Sequence, residues 1–208
     1  MPSRSLKAIK GMLISIDANL QASKINSKSP VFVFQYNPDK LTRTVSYLNS
    51  DGTIAEDSKV KIASGLQPTE LIYLTLEIDA ADQLEQPEKN PIVAENGLHP
   101  ELAVLESMME PTFTDNNQTT PRLTLFFWGP KRVLPVSLVH LKISEEAFTP
   151  LLNPIRVKID LCMRRLSLAE IKKGTLGYKF FENYLSNRDK FTLLYRQTID
   201  TENCINLV

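Results

Sequence analysis

The chain has 208 residues, 42% of them apolar, which is enough for one substantial hydrophobic core. Its 24 lysines and arginines balance 24 aspartates and glutamates, so no net field draws it to nucleic acid or to an acidic membrane, and a partner must be recognised by local shape. Cys162 and Cys204 are far apart and lack CxxC or Cys/His ligand spacing, which excludes a disulfide scaffold and predicts two unpaired thiols, with a single structural disulfide as the alternative.

The opening MPSRSLKAIKGMLISIDANL starts basic, but Ser15, Asp17 and Asn19 interrupt its apolar part. It reads as neither a secretory signal nor a membrane span, and a cytoplasmic protein without direct membrane insertion is the expectation. Met12 to Asp17 forms a short first strand. The run Val31-Phe-Val-Phe-Gln-Tyr36 forms a second, ended by Asn37-Pro38-Asp39, where the proline fixes φ and pushes Asn37 away from the helical region. Leu41 to Leu48 alternates, with Leu41, Arg43, Val45 and Tyr47 on one face and threonines and Ser46 on the other. Residues 49 to 68 read as a long loop.

Glu70 to Ala80 is the cleanest strand, placing Ile72, Leu74, Leu76 and Ile78 on one buried face. Asp82 to Leu98 is acidic and broken by prolines, and reads as a loop. In HPELAVLESMME, Leu102, Leu105, Met108 and Met109 fall at near-helical spacing, and Pro100 suits a first helical turn. Pro111 to Pro121 is a polar connection. Arg122 to Trp128 is an apolar strand, turned by Gly129-Pro130 into Val133 to Ile143, whose alternation groups His140 with Leu134, Val136 and Leu138. A loop over Ser144 to Asn153 precedes a last strand, Ile155 to Met163. Ser167-Leu-Ala-Glu170 has the capping-box pattern, so a helix is expected to start there. The remaining tail reads as a helical or extended docking arm.

The chemistry-bearing motifs are absent: no Gly-rich phosphate loop, nucleophile elbow, zinc-protease or calcium-loop pattern occurs. His99 and His140 read as surface or structural histidines. Asp79, Asp82, Glu85 and Glu88 read as a solvated acidic loop, and Lys131-Arg132 and Arg164-Arg165 as solvated turn and strand-end charges. No catalytic residue, cofactor or metal site is expected. Trp128 reads as a core residue ending a strand, with a partner anchor as the alternative. Phe180, Phe181 and Tyr184, in the aromatic stretch Tyr178 to Tyr184, are candidate partner contacts, since so much apolar area must pack on the domain or on another chain.

Three segments in order, FQYNPDKLTRTVSY, TELIYLTLEID and RLTLFFWGPKRVLPVSLVHLKISEEAFTPLLNPIRVKIDL, together resemble the tube-fold domain of contractile injection systems, the small baseplate and tube proteins of phage-tail-like particles. The resemblance rests on Tyr36-Asn37-Pro38, Pro68 to Leu71, Trp128-Gly129, Val136 to Ile143, and Phe148 to Pro154 and Arg156. It spans roughly residues 10 to 163. It implies an α+β, mainly β fold: a tail-tube-like β-barrel or sandwich with one inserted helix over residues 1–163, and a C-terminal helical or extended arm over residues 164–208. By the same resemblance the chain would be a non-enzymatic baseplate adaptor joining the central spike or hub, or the inner tube, to the surrounding baseplate. Its partners would be spike, hub, tube and baseplate proteins, with a ring of like subunits in the particle. An inner-tube or tube-initiator subunit is the nearest alternative. The best-matching baseplate members carry a LysM module after this domain, and residues 164–208 lack its opening motif. A rival from another class, motivated by the alternating strands alone, is a small β-barrel with an apolar ligand inside.

Overall fold

Side-chain alternation and a few turn residues account for most of the chain path in the computed structural model, which describes residues 9–16, 29–47, 68–113, 119–120 and 122–198. The strands are β1 (Met12–Ile16), β2 (Val31–Val33), β3 (Leu41–Ser46), β4 (Thr69–Asp79), β5 (Thr112–Phe113), β6 (Thr119–Thr120), β7 (Leu123–Phe127), β8 (Val133–Phe148) and β9 (Pro154–Arg165). The helices are α1 (Ala81–Leu84), α2 (Pro91–Asn96), α3 (His99–Met109) and α4 (Leu176–Thr198). Seven strands form one antiparallel sheet in the order β2-β1-β7-β8-β9-β4-β3, and β5 and β6 pair separately. The chain is thus α+β and mainly β.

One face of the sheet carries the main core. Ile72, Leu74, Leu76 and Ile78 of β4 are buried as their alternation requires, together with Leu134, Val136 and Leu138 of β8 and Val157, Ile159, Leu161 and Met163 of β9. Leu102, Leu105 and Met108 of α3 close over this face, while Met109 stays exposed. The opposite face of β1 and β7 is also covered. Ile14, Ile16, Leu123 and Leu125 pack with Leu166, Ile171, Leu176 and Phe181, so these two strands are buried on both sides. That is why their sequences are nearly continuous apolar runs and not alternating ones.

Several expectations are corrected. The acidic stretch from residue 82 to 98 is not a plain loop: it contains α1 and α2, the latter with Pro91 in its first turn. Strand β8 does not stop at Ile143 but continues to Phe148, through bulges that bend a long strand. The helix expected from Ser167 does not begin there. The Ser167 N–H and hydroxyl both bond to the Glu170 carboxylate, at 2.8 and 2.9 Å, but this ties off a single turn. Helix α4 starts at Leu176, after Thr175, whose carbonyl accepts the first helical bond from Lys179 N–H. Strand β9 runs to Arg165, two residues past the boundary drawn at residue 163. The loop expected over residues 49 to 68 lies, apart from Pro68, outside the described residues, as does Cys204.

Gly97 joins α2 to α3 at φ +58°, and an added Cβ would run into the carbonyl oxygen of Pro154. That oxygen already accepts a 2.8 Å bond from Leu98 N–H, and the Asn153 side-chain amide donates to Glu95 O at 2.8 Å. The helical elbow is therefore stitched to the start of β9, and only glycine fits the backbone. Gly97→Ala is expected to lower stability by about 2–3 kcal/mol, combining the left-handed backbone with overpacking. Urea denaturation measures it, and a loss under about 0.5 kcal/mol would mean that the elbow is loose.

Candidate functional site

The tyrosine, asparagine and proline singled out in FQYNP sit just after edge strand β2, and the structure gives this run a definite task. Phe34 points into the core, 1% exposed, in an aromatic cluster with Phe32, Phe126 and Trp128. The intervening side chains imitate peptide groups. Gln35 accepts from Asp79 N–H at 2.8 Å and donates its amide to Asp79 O at 2.7 Å. Asn37 accepts from Gly11 N–H at 2.8 Å and donates to Ile9 O at 2.8 Å. Two amides thus bridge the segment between β2 and β3 to the end of β4 on one side and to the entry of β1 on the other. Tyr36 between them is exposed, and Pro38 turns the chain into β3.

Gln35 was not singled out from the sequence. Its signal was the alternation itself: with Phe32 and Phe34 inward, Gln35 had to point away from the core, at the height of a sheet edge. Trp128 is packed against the main core in line with the core reading, and Gly129 at φ +75° makes the turn in which Trp128 N–H bonds to Arg132 O at 2.8 Å. Pro154 is buried at the start of β9. Arg156 lies on the outer face and pairs with Asp79 at 2.7 Å.

That pair titrates with a known sign. The Ala81 N–H and then the Arg156 guanidinium hold the Asp79 carboxyl below its ordinary value of about 3.8. The Glu170 carboxyl is also held low: burial works against this, but bonds from Arg164 and Ser167 outweigh it. A carboxyl with a lower pKa folded than unfolded stabilises the fold above its unfolded value, and that contribution is lost as pH falls through the folded one. Asp79→Asn and Glu170→Gln are each expected to flatten the decline in melting temperature between about pH 5 and pH 2, where these groups take up protons. A variant with an unchanged acid slope would show that its bonds do not persist in solution.

Beside the FQYNP run an open groove of about 900 Å³ crosses the outer face of the sheet, lined by Tyr36, Asp39, Tyr73, His140, Asp160 and Cys162 among others. His140 reaches it through a correction to the simple alternation. The register of β8 against β9 slips at Val139, so Leu141 and Ile143, not His140, follow Leu138 toward the core, and His140 stands opposite Cys162 on the outside. Cys162 is a free thiol. Burial pushes its pKa up, against a hydrogen bond with Tyr73 that acts the other way, so it is held as the protonated thiol and is not an activated nucleophile. Next along the groove the Thr75 hydroxyl donates to Asp160 at 2.8 Å. Among the described residues no three His, Cys, Asp or Glu side chains are placed to hold a metal ion. No helix among them is long and apolar enough to cross a membrane.

No family model and no curated protein matches this chain.

The aromatic stretch of the tail is brought back to the domain. Phe181 is 1% exposed, stacked at 6.3 Å on Tyr184, and Phe180 meets Phe127 edge-on at 5.7 Å. Phe181 is buried in the chain's own domain, and Phe180 and Tyr184 pack on it while staying partly exposed, so all three anchor α4. A further correction concerns Arg165. It is no solvated end charge: it bonds Glu70 at 2.8 Å, with its guanidinium over the Phe181 ring at 5.1 Å. Arg43 binds the other Glu70 oxygen and also donates to Tyr184 Oη at 3.2 Å. Glu70, 3% exposed, thus links β3, β4, β9 and α4.

Beyond this anchor the helix changes character. Every residue from 188 to 198 is exposed, among them Phe191, Leu193, Leu194 and Tyr195. Phe148, Leu151 and Leu152 are exposed at the tip between β8 and β9, where Leu152 has φ +65°.

Proposed function

We propose that this chain is a structural subunit of a contractile injection system, a baseplate adaptor that joins the central spike, hub or inner tube to the surrounding baseplate and works by docking, not by catalysis. The observation that carries the reading is the pair of amide bridges in the FQYNP run. Gln35, after one edge of the sheet, bonds the backbone of β4 beyond the point where β3 stops pairing with it, so the two ends of the sheet are drawn together. With residues from β1, β2, β4, β7, β8 and β9 sharing a single core, this supports a barrel of the tail-tube kind, built from the same residues that carry the resemblance. The fully buried Phe34, Phe126, Leu134 and Leu161 occupy the position that a ligand-binding barrel would leave for its ligand, which favours geometry over ligand binding as the role. An inner-tube or tube-initiator subunit shares these features.

The test is affinity capture of the tagged full chain from its native cell, followed by mass spectrometry. Recovery of sheath, tube and spike proteins is the expected result, and few copies relative to tube protein would favour the adaptor over a tube subunit. Recovery of the chain alone or with a small molecule, and no ring formation by the purified protein, would overturn the proposal.

A further inference from the structure

The hairpin between β8 and β9 ends in apolar side chains turned to solvent: Leu151 is 83% and Leu152 75% exposed, with Phe148 half-exposed beside them. Helix α2 flanks this tip, tied to it by the bond from the Asn153 amide to Glu95 O, and adds the exposed Ile92. The tip is firmly built. Thr149 N–H donates to Asn153 O at 2.8 Å, Leu152 N–H to Thr149 O at 2.9 Å, and Asn153 N–H to the Thr149 hydroxyl at 3.1 Å. These bonds hold Leu152 at φ +65°, where leucine is strained and glycine or asparagine is at ease. Strain of this kind, kept where a polar residue would relieve it, points to a task for the side chain. Two leucines held out rigidly also lose little freedom when a partner covers them.

The surrounding charges fix the character of that partner. Residues 79–101 and 143–157, the two stretches that form this end of the domain, hold eight carboxylates against Lys89 and Arg156. Widening the count to residues 68–121 and 133–165 gives fourteen carboxylates against six cations, so the sign does not depend on where the count stops. No segment outside the described residues carries more than two net charges, so none of them balances it. A second copy docked by a two-fold axis would set carboxylates against carboxylates. One docked head to tail would meet arginines of which Arg43, Arg164 and Arg165 are already bound to their own carboxylates. An anionic membrane surface would repel the tip. We infer that the β8–β9 tip docks into an apolar pocket on a different protein whose rim carries lysines and arginines. Leu151 and Leu152 enter the pocket, and the exposed Glu95 and Glu145 face its cations. The inference rests on the reading of the chain as a docking subunit, and it assigns that docking to one end of the domain.

A photo-crosslinking amino acid at Leu151 of the full chain, in its native cell, tests it, with mass spectrometry of the joined peptide. The expected product joins Leu151 to another protein, at apolar residues flanked by at least two lysines or arginines. Leu152→Asn, which suits a positive φ, is expected to lower the yield about tenfold or more without lowering the melting temperature. The double substitution Glu95→Lys and Glu145→Lys is expected to do the same through charge. An unchanged yield in either variant overturns the inference, as does a crosslink to a second copy, to this chain itself, to lipid, to a pocket without cations, or to nothing. If the particle assembles and contains the chain while Leu151 finds no basic partner, the subunit reading stands and this inference falls. If Leu151 finds a basic-rimmed pocket on a protein of no such particle, the outcome is reversed.

Discussion

Glu70→Gln is expected to cost about 3 kcal/mol of stability and to loosen α4 from the sheet. The apolar row of β4, Ile78, Leu76, Leu74 and Ile72, continues at the same parity to Glu70, so a carboxylate occupies the last inward position. It is tolerated there because each oxygen has its own guanidinium, Arg43 on β3 and Arg165 on β9. Both arginines in turn touch α4, through Tyr184 and Phe181 respectively. Removing one member of a buried ion cluster strands the others, and about 3–5 kcal/mol is the usual cost; Arg43, with a third of its side chain in water, places this case at the lower end. Urea denaturation reads the loss. Replacing all three members with apolar side chains of similar volume is expected to recover most of it, because the cluster's own desolvation cost disappears with the charges. A Glu70→Gln protein as stable as the parent would show that the cluster is solvated and does not hold the helix.

Phe181→Ala is expected to cost about 3–5 kcal/mol, the range for truncating a fully buried aromatic side chain, whereas Tyr195→Ala should change stability by less than about 0.5 kcal/mol. Phe181 is buried in the same cluster as Leu123, Ile171 and Leu176 and also carries the Arg165 guanidinium on its ring, so its loss leaves both a cavity and an uncovered cation. Because α4 is held through few side chains, the loss should appear first as local release of the helix. Hydrogen exchange along residues 176–187 would rise before exchange in β4 and β9. Equal losses for Phe181→Ala and Tyr195→Ala would mean that the helix is supported along its whole length.

The extent to which the sequence was legible follows from how local each cause is. In β4 the period of two over Ile72 to Ile78 names the buried face outright, because a strand has no other way to place alternate side chains. The helix over His99 to Met109 is equally plain from its spacing and its early proline. The capping-box reading at Ser167 was half correct: its side-chain bonds form, but the turn they close ends by Ile171, and the helix begins only at Leu176. Glu70 and Arg165 could have been found by extending the parity of their strands two residues further, which places two opposite charges on the inner face. The pairing itself depends on β4 and β9 being neighbours, and nothing in the local sequence states that.

Composition, alternation and turn residues by themselves determined a mainly β chain with a helix over its main core, because burial of apolar faces and backbone sterics act within a few residues. Only the tertiary structure decided three things: that Gln35 and Asn37 serve as peptide mimics joining sheet ends, that a one-residue bulge at Val139 turns His140 outward, and that Phe181 of the tail is buried in the domain while residues 188–198 are exposed. Each depends on which strand lies beside which, and that is settled by the free energy of packing the whole chain.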